Sequence, residues 1–151
     1  MRFVRDDLTH PDVVALVTLH LEAAHANSPP GSVFALDLAG LRDPAVTLWS
    51  AWDGDVLVGI GGLKQLDPLH GELKSMRTAP SHVRRGVGRA MLDHLVADAV
   101  ARGYRRVSLE TGSNAPFAPA RAMYAKAGFV ECAPFAAYED AAFSRYFTRA
   151  L

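Results

Sequence analysis

The spacing of apolar residues changes repeatedly between the period of a helix and the period of a strand, and this alternation restricts the possible folds most strongly. Two β-prone runs, VTLWSAW and VLVGIGGLKQL, flank Asp53-Gly54-Asp55, and Asp-Gly between such runs is a strong hairpin signal. Helices are predicted over 11–26, 33–41, 86–102 and 118–127, and strands over 1–5, 46–52, 56–66, 72–78, 104–111, 129–133 and 143–151. The order β, αα, βββ, α, β, α, ββ favours an α/β (α+β) fold with a mixed sheet and helices on both faces.

Composition excludes several classes of protein. The chain has 151 residues, the size of one domain, so we treat residues 1–151 as a single domain. Its 16 basic residues balance its 16 acidic ones, so no global field attracts nucleic acid or an acidic membrane. The lone cysteine, Cys132, cannot form an internal disulfide, and the charged N-terminal segment lacks the apolar core of a signal peptide. We expect a soluble cytoplasmic protein without a nucleic-acid or membrane partner.

The histidines do not indicate a metal site. His70, His82 and His94 have no ligand-like spacing, and the chain offers no partner cysteines. His20 and His25 lie five residues apart on a predicted helix, off the i, i+4 spacing that would place them together. We therefore expect no metal cofactor.

The stretch VRRGVGRAML, residues 83–92, places arginines and glycines in front of a predicted helix that starts near Gly86. The first turn of a helix has unpaired N–H groups and the positive end of the helix dipole, and glycines let a phosphate approach closely. Two interpretations remain open at this point, a solvated basic helix end or a diphosphate site. The residues of such a site are Arg84, Arg85, Gly86, Gly88 and Arg89.

Other nucleotide-binding motifs match this stretch poorly. A Walker loop is excluded because the chain contains no Gly-Lys-Ser/Thr sequence. A dinucleotide fingerprint needs a third glycine where Met91 stands, and a buried strand that turns directly into Gly86. The preceding strand, ELKSMRT, is polar and ends near Thr78. We therefore set the dinucleotide interpretation aside.

Two stretches together resemble the GNAT superfamily of acetyl-CoA dependent N-acetyltransferases. ELKSMRTAPSHVRRGVGRAMLDHL is similar to the family's fourth strand, phosphate loop and third helix, and PARAMYAKAGFVECAPF is similar to its fourth helix and the strand after it. The predicted element order resembles the family along nearly the whole chain. The resemblance implies a GNAT fold, with a twisted six- to seven-stranded sheet, about four flanking helices, and a splay between strands 4 and 5. It also implies acetyl-CoA as co-substrate.

For the coenzyme, the resemblance implies contacts from the fourth strand, from the phosphate loop and from the fourth helix. The family's Gln/Arg-x-x-Gly-x-Gly/Ala pattern, anchored on Gly86 and Gly88, places Val83 where Gln or Arg is usual, so the backbone amides become the main contacts. Where the family often has an asparagine for the pantetheine arm, Phe117 stands, and Asn114 lies three residues earlier. The implied coenzyme-binding residues are Met76, Arg77, Thr78, Arg84, Arg85, Gly86, Val87, Gly88, Arg89, Asn114 and Tyr124.

Acetyl transfer to an amine defines three catalytic roles. An alkylammonium has a pKa of about 10.4 and must lose a proton, and the resemblance implies Glu72 as the general base, with Glu110 as a second candidate. Apolar residues three apart in ELKSMRT predict a bulge, and we expect the Met76 N–H to stabilise the developing oxyanion. Tyr124 matches the family tyrosine that protonates the departing thiolate. The alternatives are an exposed Glu72 paired with Lys74, and a Tyr124 that only packs.

The sequence leaves the acetyl acceptor open. We expect a primary amine of a small molecule, and the alternatives are a protein or peptide N-acetyltransferase and a non-catalytic acyl-CoA binding module. A formal charge of zero disfavours histone tails and polycationic drugs. The resemblance implies that the first two helices cover the acceptor side, near His25 and Ser28, and it is compatible with a homodimer through the closing strands. Aromatic residues expected near the acceptor are Phe34, Phe117, Phe135 and Tyr138.

Overall fold

The computed structural model describes all 151 residues, and its elements follow the predicted order. The strands are β1 (Arg2–Arg5), β2 (Val46–Asp53), β3 (Val56–Asp67), β4 (His70–Thr78), β5 (Arg106–Gly112), β6 (Val130–Cys132) and β7 (Ser144–Ala150). The helices are α1 (Pro11–Asn27), α2 (Leu38–Leu41), α3 (Val87–Ala101) and α4 (Ala118–Lys126). None of them is long and apolar enough to cross a membrane.

All seven strands form one mixed sheet in the order β1-β2-β3-β4-β5-β7-β6. Only the central pair, β4 and β5, is parallel. Hairpins join β2 to β3 and β3 to β4, whereas a parallel neighbour requires a crossover, which α3 supplies between β4 and β5. The predicted mixed sheet of six to seven strands with about four helices is confirmed. Of the two closing strands, β7 lies inside the sheet and β6 alone lies at an edge.

The helices pack on the two faces of this sheet and form two separate cores. The larger core joins α3 and α4 to the sheet and includes Met91 and Tyr124. The smaller core joins α1 and α2 to the sheet and includes Leu16. Along β3, the adjacent residues Val58 and Leu57 belong to the larger and the smaller core respectively, as the alternation of a strand requires. The face covered by α3 is therefore opposite to the face covered by α1.

The parallel pairing of β4 with β5 is short. It consists of three register pairs, from His70 with Arg106 to Glu72 with Ser108. Beyond Glu72, β4 continues to pair with β3 as far as Thr78, and β5 continues to pair with β7 as far as Gly112. The two strands therefore diverge while each stays anchored on its outer side. The predicted splay between strands 4 and 5 is confirmed.

A bulge interrupts β4 at the divergence. Ile60 pairs with Arg77 and Gly62 pairs with Lys74, so that β4 has two residues where β3 has one. Those two residues are Ser75 and Met76, and Ser75 has a positive φ of 55°. The predicted bulge is confirmed.

Gly61, opposite the bulge, allows α3 to approach the sheet closely. A Cβ atom at this position would lie 2.6 Å from the Met91 Cγ, and 2.9 Å from both the Leu95 Cδ1 and the Met76 Sδ. Such distances are shorter than van der Waals contact, so any side chain here would push α3 outwards. The absence of a side chain thus brings the start of α3 next to the divergence of β4 and β5.

The second predicted helix, over 33–41, is wrong in its first half. The helix spans only Leu38–Leu41, and the Asp37 side chain caps it by accepting a hydrogen bond from the Gly40 N–H at 2.8 Å. Residues 33–36 are not helical, and the Phe34 carbonyl accepts a hydrogen bond from the Lys74 Nζ at 3.1 Å. An internal helical bond would occupy this carbonyl, so the contact with β4 favours the irregular conformation.

Candidate active site

The divergence of β4 and β5 opens a cleft with a volume of about 560 Å³. Residues of α1 and of the segment after it line one side, and the start of α3 together with α4 lines the other. Most of the predicted site residues line this cleft. They are Glu72, Met76, Arg77, Thr78, Arg84, Gly86, Val87, Gly88, Arg89, Glu110 and Tyr124.

Some predicted residues lie elsewhere. Arg85 is exposed and does not line the cleft. The Asn114 side chain does not line it either, because its Nδ2 donates to the Asn27 carbonyl at 2.8 Å and fastens the loop after β5 to the end of α1. Ser28 lines the cleft as expected, whereas His25 lines a groove between α1 and α2. Of the expected aromatic residues, Phe34 and Phe117 line the cleft.

The entrance to α3 presents a continuous set of free backbone donors. None of the N–H groups from Val83 to Arg89 donates a hydrogen bond within the chain, and no side chain caps the helix. Arg84 and Gly86 both have positive φ values, 63° and 82°. Alternating left-handed residues turn successive amides towards one side, which is how backbone forms an anion-binding concavity. Free amides in this arrangement, together with the positive end of a helix dipole, have the geometry that suits a phosphate group.

Gly88 keeps the space between α3 and α4 open. A Cβ atom at this position would lie 3.3 Å from the Met123 Sδ and 3.6 Å from the Thr78 Oγ1. A larger side chain would therefore enter the cleft between the two helices. The free amides and this gap lie at the same end of the cleft, so a ligand with a phosphate can extend from the amides towards Tyr124.

Glu72 is buried in a network of charged and polar groups. Its side chain accepts a hydrogen bond from the Tyr138 hydroxyl at 2.6 Å and forms an ion pair with the Lys74 Nζ at 3.3 Å. Lys74 also donates to the Tyr138 oxygen at 3.0 Å. Burial and the Glu72 charge raise the pKa of Tyr138 far above its ordinary value. The expected pairing with Lys74 is present, but the alternative of an exposed Glu72 is wrong, since the residue is only 2% exposed.

Glu110 faces the same cleft from β5 without a basic partner in an ion pair. Its carboxylate accepts a hydrogen bond from the Ser144 Oγ at 2.8 Å. Burial raises the pKa of Glu110 above its ordinary value, against the opposing effects of this hydrogen bond and of the Lys74 charge. A carboxylate with a raised pKa in a cleft is a candidate for proton transfer.

Tyr124 is buried, with an exposed fraction of 6%, yet it lines the cleft. Its hydroxyl forms no hydrogen bond within the chain, and its ring packs against Phe129 at a centroid distance of 5.9 Å. Burial, with a smaller effect of the Glu110 charge, raises the pKa of Tyr124 to about 12. The phenol is therefore protonated at neutral pH and can donate to a ligand.

His20 is a residue of the cleft that the sequence did not indicate. His20 lies on α1, and its Nδ1 accepts a hydrogen bond from the Arg77 Nε at 3.0 Å. Burial, and to a lesser degree the Arg77 charge, lowers the pKa of His20 to about 4, so the imidazole is neutral at pH 7. Residue spacing along α1 indicates only that His20 lies near the apolar face, and its partner is 57 residues away.

Comparison with known sequences identifies the family. The model of the Acetyltransferase (GNAT) family matches residues 13–129, which include most of α1, the entrance to α3 and Tyr124. The chain belongs to this family. The GNAT assignment agrees with the divergence of β4 from β5 and with the resemblance of the two stretches in the sequence.

Two bacterial GNAT relatives match almost end to end. The chain is 52% identical over 146 residues to the "uncharacterized N-acetyltransferase YsnE" of Bacillus subtilis (strain 168), covering 97% of each protein. It is 51% identical over 146 residues to the "uncharacterized N-acetyltransferase YedL" of Escherichia coli (strain K12), covering 97% of this chain and 92% of that protein. Both relatives are named as N-acetyltransferases, so the chain is a GNAT acetyltransferase.

A solved structure confirms the GNAT fold. A GNAT family acetyltransferase from Elizabethkingia anophelis with acetyl-CoA bound superposes with a TM-score of 0.72 and 17% identity. The alignment covers 99% of this chain and 97% of that one. At this identity the likeness establishes the fold alone.

The low pKa of His20 predicts a specific loss of stability in acid. As the pH falls from 6.5 towards 4, the unfolded chain takes up a proton at His20 and the folded chain does not, so the free energy of unfolding decreases. Above pH 6.5 His20 does not reduce the free energy of unfolding. The complete decrease from protonation of the unfolded chain is about 3 kcal/mol. His20→Gln keeps an acceptor for Arg77 but does not titrate. Urea unfolding between pH 7 and pH 4 should therefore give a shallower decrease for the variant, and identical curves would contradict the assignment.

Proposed function

We propose that this GNAT enzyme transfers the acetyl group of acetyl-CoA to the primary amine of a small molecule. The observation that supports the proposal most strongly is the set of free N–H groups from Val83 to Arg89, at the end of a cleft that also contains Tyr124 and two carboxylates. A coenzyme with a diphosphate and a thioester suits this cleft, because the diphosphate matches the free N–H groups and the thioester matches Tyr124 and the carboxylates. Neither a solvated helix end nor a packed tyrosine requires such an open cleft.

The residues fit the coenzyme by the chemistry of their donors. The backbone amides from Val83 to Arg89 would hold the diphosphate, with Arg84 and Arg89 adding positive charge. Thr78 and the gap at Gly88 would border the pantetheine arm. The coenzyme supplies the activated acetyl thioester. Asn114 contributes instead by holding the loop after β5 against α1.

Between the two candidate bases, the contacts favour Glu110. Glu72 already accepts hydrogen bonds from Tyr138 and from Lys74, and both of them occupy its Oε2. Glu110 has one neutral hydrogen-bond partner, and burial raises its pKa towards the range that suits a base at neutral pH. We therefore assign proton abstraction to Glu110 and the positioning of Lys74 and Tyr138 to Glu72.

Two further groups would stabilise the reacting thioester. Met76 lies in the bulge, without a register partner on β3 or β5, so its N–H is our candidate donor to the charge that develops on the thioester oxygen. Tyr124, whose hydroxyl has no partner in the chain, would donate to the sulfur as the carbon–sulfur bond breaks. Its pKa of about 12 keeps the phenolic proton available throughout the neutral pH range.

The size and closure of the cleft favour a small acceptor. Its volume of about 560 Å³ lies within the range of small-molecule sites. On the α1 side, Lys74 contacts both the Phe34 carbonyl and Tyr138, so segments from distant parts of the chain meet over the cleft.

Filling the gap at Gly88 should abolish coenzyme binding. Gly88→Leu raises helix propensity, so we expect α3 to remain folded, but the new side chain enters the cleft towards Met123 and Thr78. In a thermal-shift measurement, acetyl-CoA at about 100 times its Kd should stabilise the wild type by about 2.7 kcal/mol and the variant not at all. Val100→Leu, at an exposed position of the same helix, serves as the control. A full shift for Gly88→Leu would reject the proposed coenzyme site.

Removal of the Tyr124 hydroxyl should lower the turnover rate and leave the affinity for acetyl-CoA unchanged. Tyr124→Phe keeps the packing against Phe129 but removes the donor to sulfur, and we expect kcat to fall by about 10²- to 10⁴-fold. Release of free thiol measures kcat, and calorimetry measures the Kd for acetyl-CoA. Tyr104→Phe, which removes a buried hydroxyl that bonds Gln65 outside the cleft, is the matched control. An unchanged kcat for Tyr124→Phe would show that this residue only packs.

The pH dependence of turnover distinguishes the two carboxylates. A base must be deprotonated, so kcat/KM, calculated on the concentration of the ammonium form of the substrate, should decrease as the pH falls through the raised pKa of Glu110. Glu110→Gln should lower kcat/KM at neutral pH by about 10²- to 10⁴-fold and remove this acidic limb. The Glu72→Gln variant should still show the decrease of kcat/KM at acidic pH. The reverse pattern would assign the base to Glu72.

A further inference from the structure

We infer that the acetyl acceptor carries a carboxylate beside its amine, as an amino acid does, and that the Arg77 side chain binds this carboxylate. The inference rests on the proposed function and specifies its substrate class. Arg77 is a cation in the cleft that has no counter-ion in the chain.

Arg77 is a half-buried guanidinium without an acidic partner. Its one hydrogen bond within the chain runs from Nε to the His20 Nδ1, and no carboxylate lies within ion-pair distance. The two terminal nitrogens are therefore free to donate. A buried cation is costly unless it is paired, and a guanidinium fork matches a carboxylate with two parallel hydrogen bonds.

The direction of the Arg77 side chain separates it from the coenzyme phosphates. Its neighbours Met76 and Thr78 face α3, as shown by their proximity to Gly61 and Gly88, whereas Arg77 reaches His20 on α1. Because α1 and α3 cover opposite faces of the sheet, the Arg77 side chain lies on the side away from the free amides. The family resemblance implies a coenzyme contact for Arg77, whereas the direction of its side chain assigns it to the acceptor.

The cleft contains a positive and a negative side chain that have no ion-pair partners and that match the two charges of an amino acid. Glu72 and Lys74 neutralise each other at 3.3 Å. Arg77 and Glu110 line the same cleft and have no ion-pair partners. An amino acid offers an ammonium group to Glu110 and a carboxylate to Arg77, whereas a simple monoamine would leave Arg77 unpaired.

Two other polar residues, His20 and Ser75, line the cleft near Arg77 in the fold or the sequence. His20 is a positioning residue, because its neutral Nδ1 holds the Nε edge of Arg77 and leaves the terminal nitrogens directed elsewhere. Ser75 also lines the cleft, is 8% exposed, and has a buried hydroxyl without a hydrogen-bond partner. A ligand carboxylate would satisfy the free terminal nitrogens of Arg77.

The test compares amino acids with the amines that result from their decarboxylation. Free-thiol release from acetyl-CoA is measured with phenylalanine against phenethylamine and with leucine against isopentylamine, as kcat/KM. We expect the wild type to favour the amino acid of at least one pair by about 10- to 100-fold. Arg77→Met should raise KM for the amino acid, bring the preference close to unity, and leave the Kd for acetyl-CoA unchanged. Arg77→Lys should retain part of the preference.

Controls and contrary outcomes separate this inference from the proposed function. Arg5→Met, at an exposed position on β1, should behave as the wild type. Acetylation of the amines as fast as the amino acids, or a preference that persists in Arg77→Met, would overturn the inference and leave the proposed function intact. If no pair turns over, calorimetry with coenzyme A and N-acetylphenylalanine or N-acetylphenethylamine replaces the rate, and equal binding overturns the inference. Absence of acetyl-CoA binding to the wild type would overturn both.

Discussion

The parallel pairing of β4 with β5 ends after three register pairs, and the remainder of the site depends on this early end. β4 stays anchored on β3 through Thr78, and β5 stays anchored on β7 through Gly112, so the gap between them has two fixed walls. The backbone groups that face the gap have no partner strand. A ligand can therefore occupy the centre of the sheet without displacing an existing ladder, and the walls are positioned before it arrives.

The entrance to α3 is the second feature that this geometry requires. As the crossover between two parallel strands, α3 must begin near the end of β4, which places its free N–H groups at the open end of the gap. Gly61 lets Met91 and Leu95 pack closely on β3, and this packing fixes the distance between the helix and the bulge. Arg84 and Gly86 both have positive φ values. This conformation is unfavourable for arginine, whereas it costs glycine little because glycine has no Cβ atom. The chain tolerates that strain where it turns amides towards one side, as an anion site requires.

Sequence reasoning predicts the parts of this site that depend on local spacing. The period of apolar residues predicts the element order and α3, and the break in alternation at Met76 predicts the bulge. It does not predict that residues around Phe34 are irregular, because the Phe34 carbonyl binds Lys74, which is distant in the sequence. Nor does it predict that Tyr138 bonds Glu72, a partner 66 residues away. Contacts between distant segments have no period in the sequence. These contacts determine that Tyr138 binds Glu72, which already has a basic ion-pair partner, whereas Glu110 has none.

The network around Lys74 explains why some charges of the cleft are neutralised internally and others are not. A buried ion pair is favourable only when its remaining hydrogen-bonding capacity is satisfied. Lys74 meets this condition, since its three donors have three acceptors, on Glu72, Tyr138 and the Phe34 carbonyl. The pair thereby joins β4, the segment after α1 and the β6–β7 connection on the α1 side of the cleft. Because this cation is fully occupied, Lys74 cannot also neutralise Glu110 by direct contact. The carboxylate on β5 keeps its raised pKa, and any charge that pairs with it must enter with the ligand.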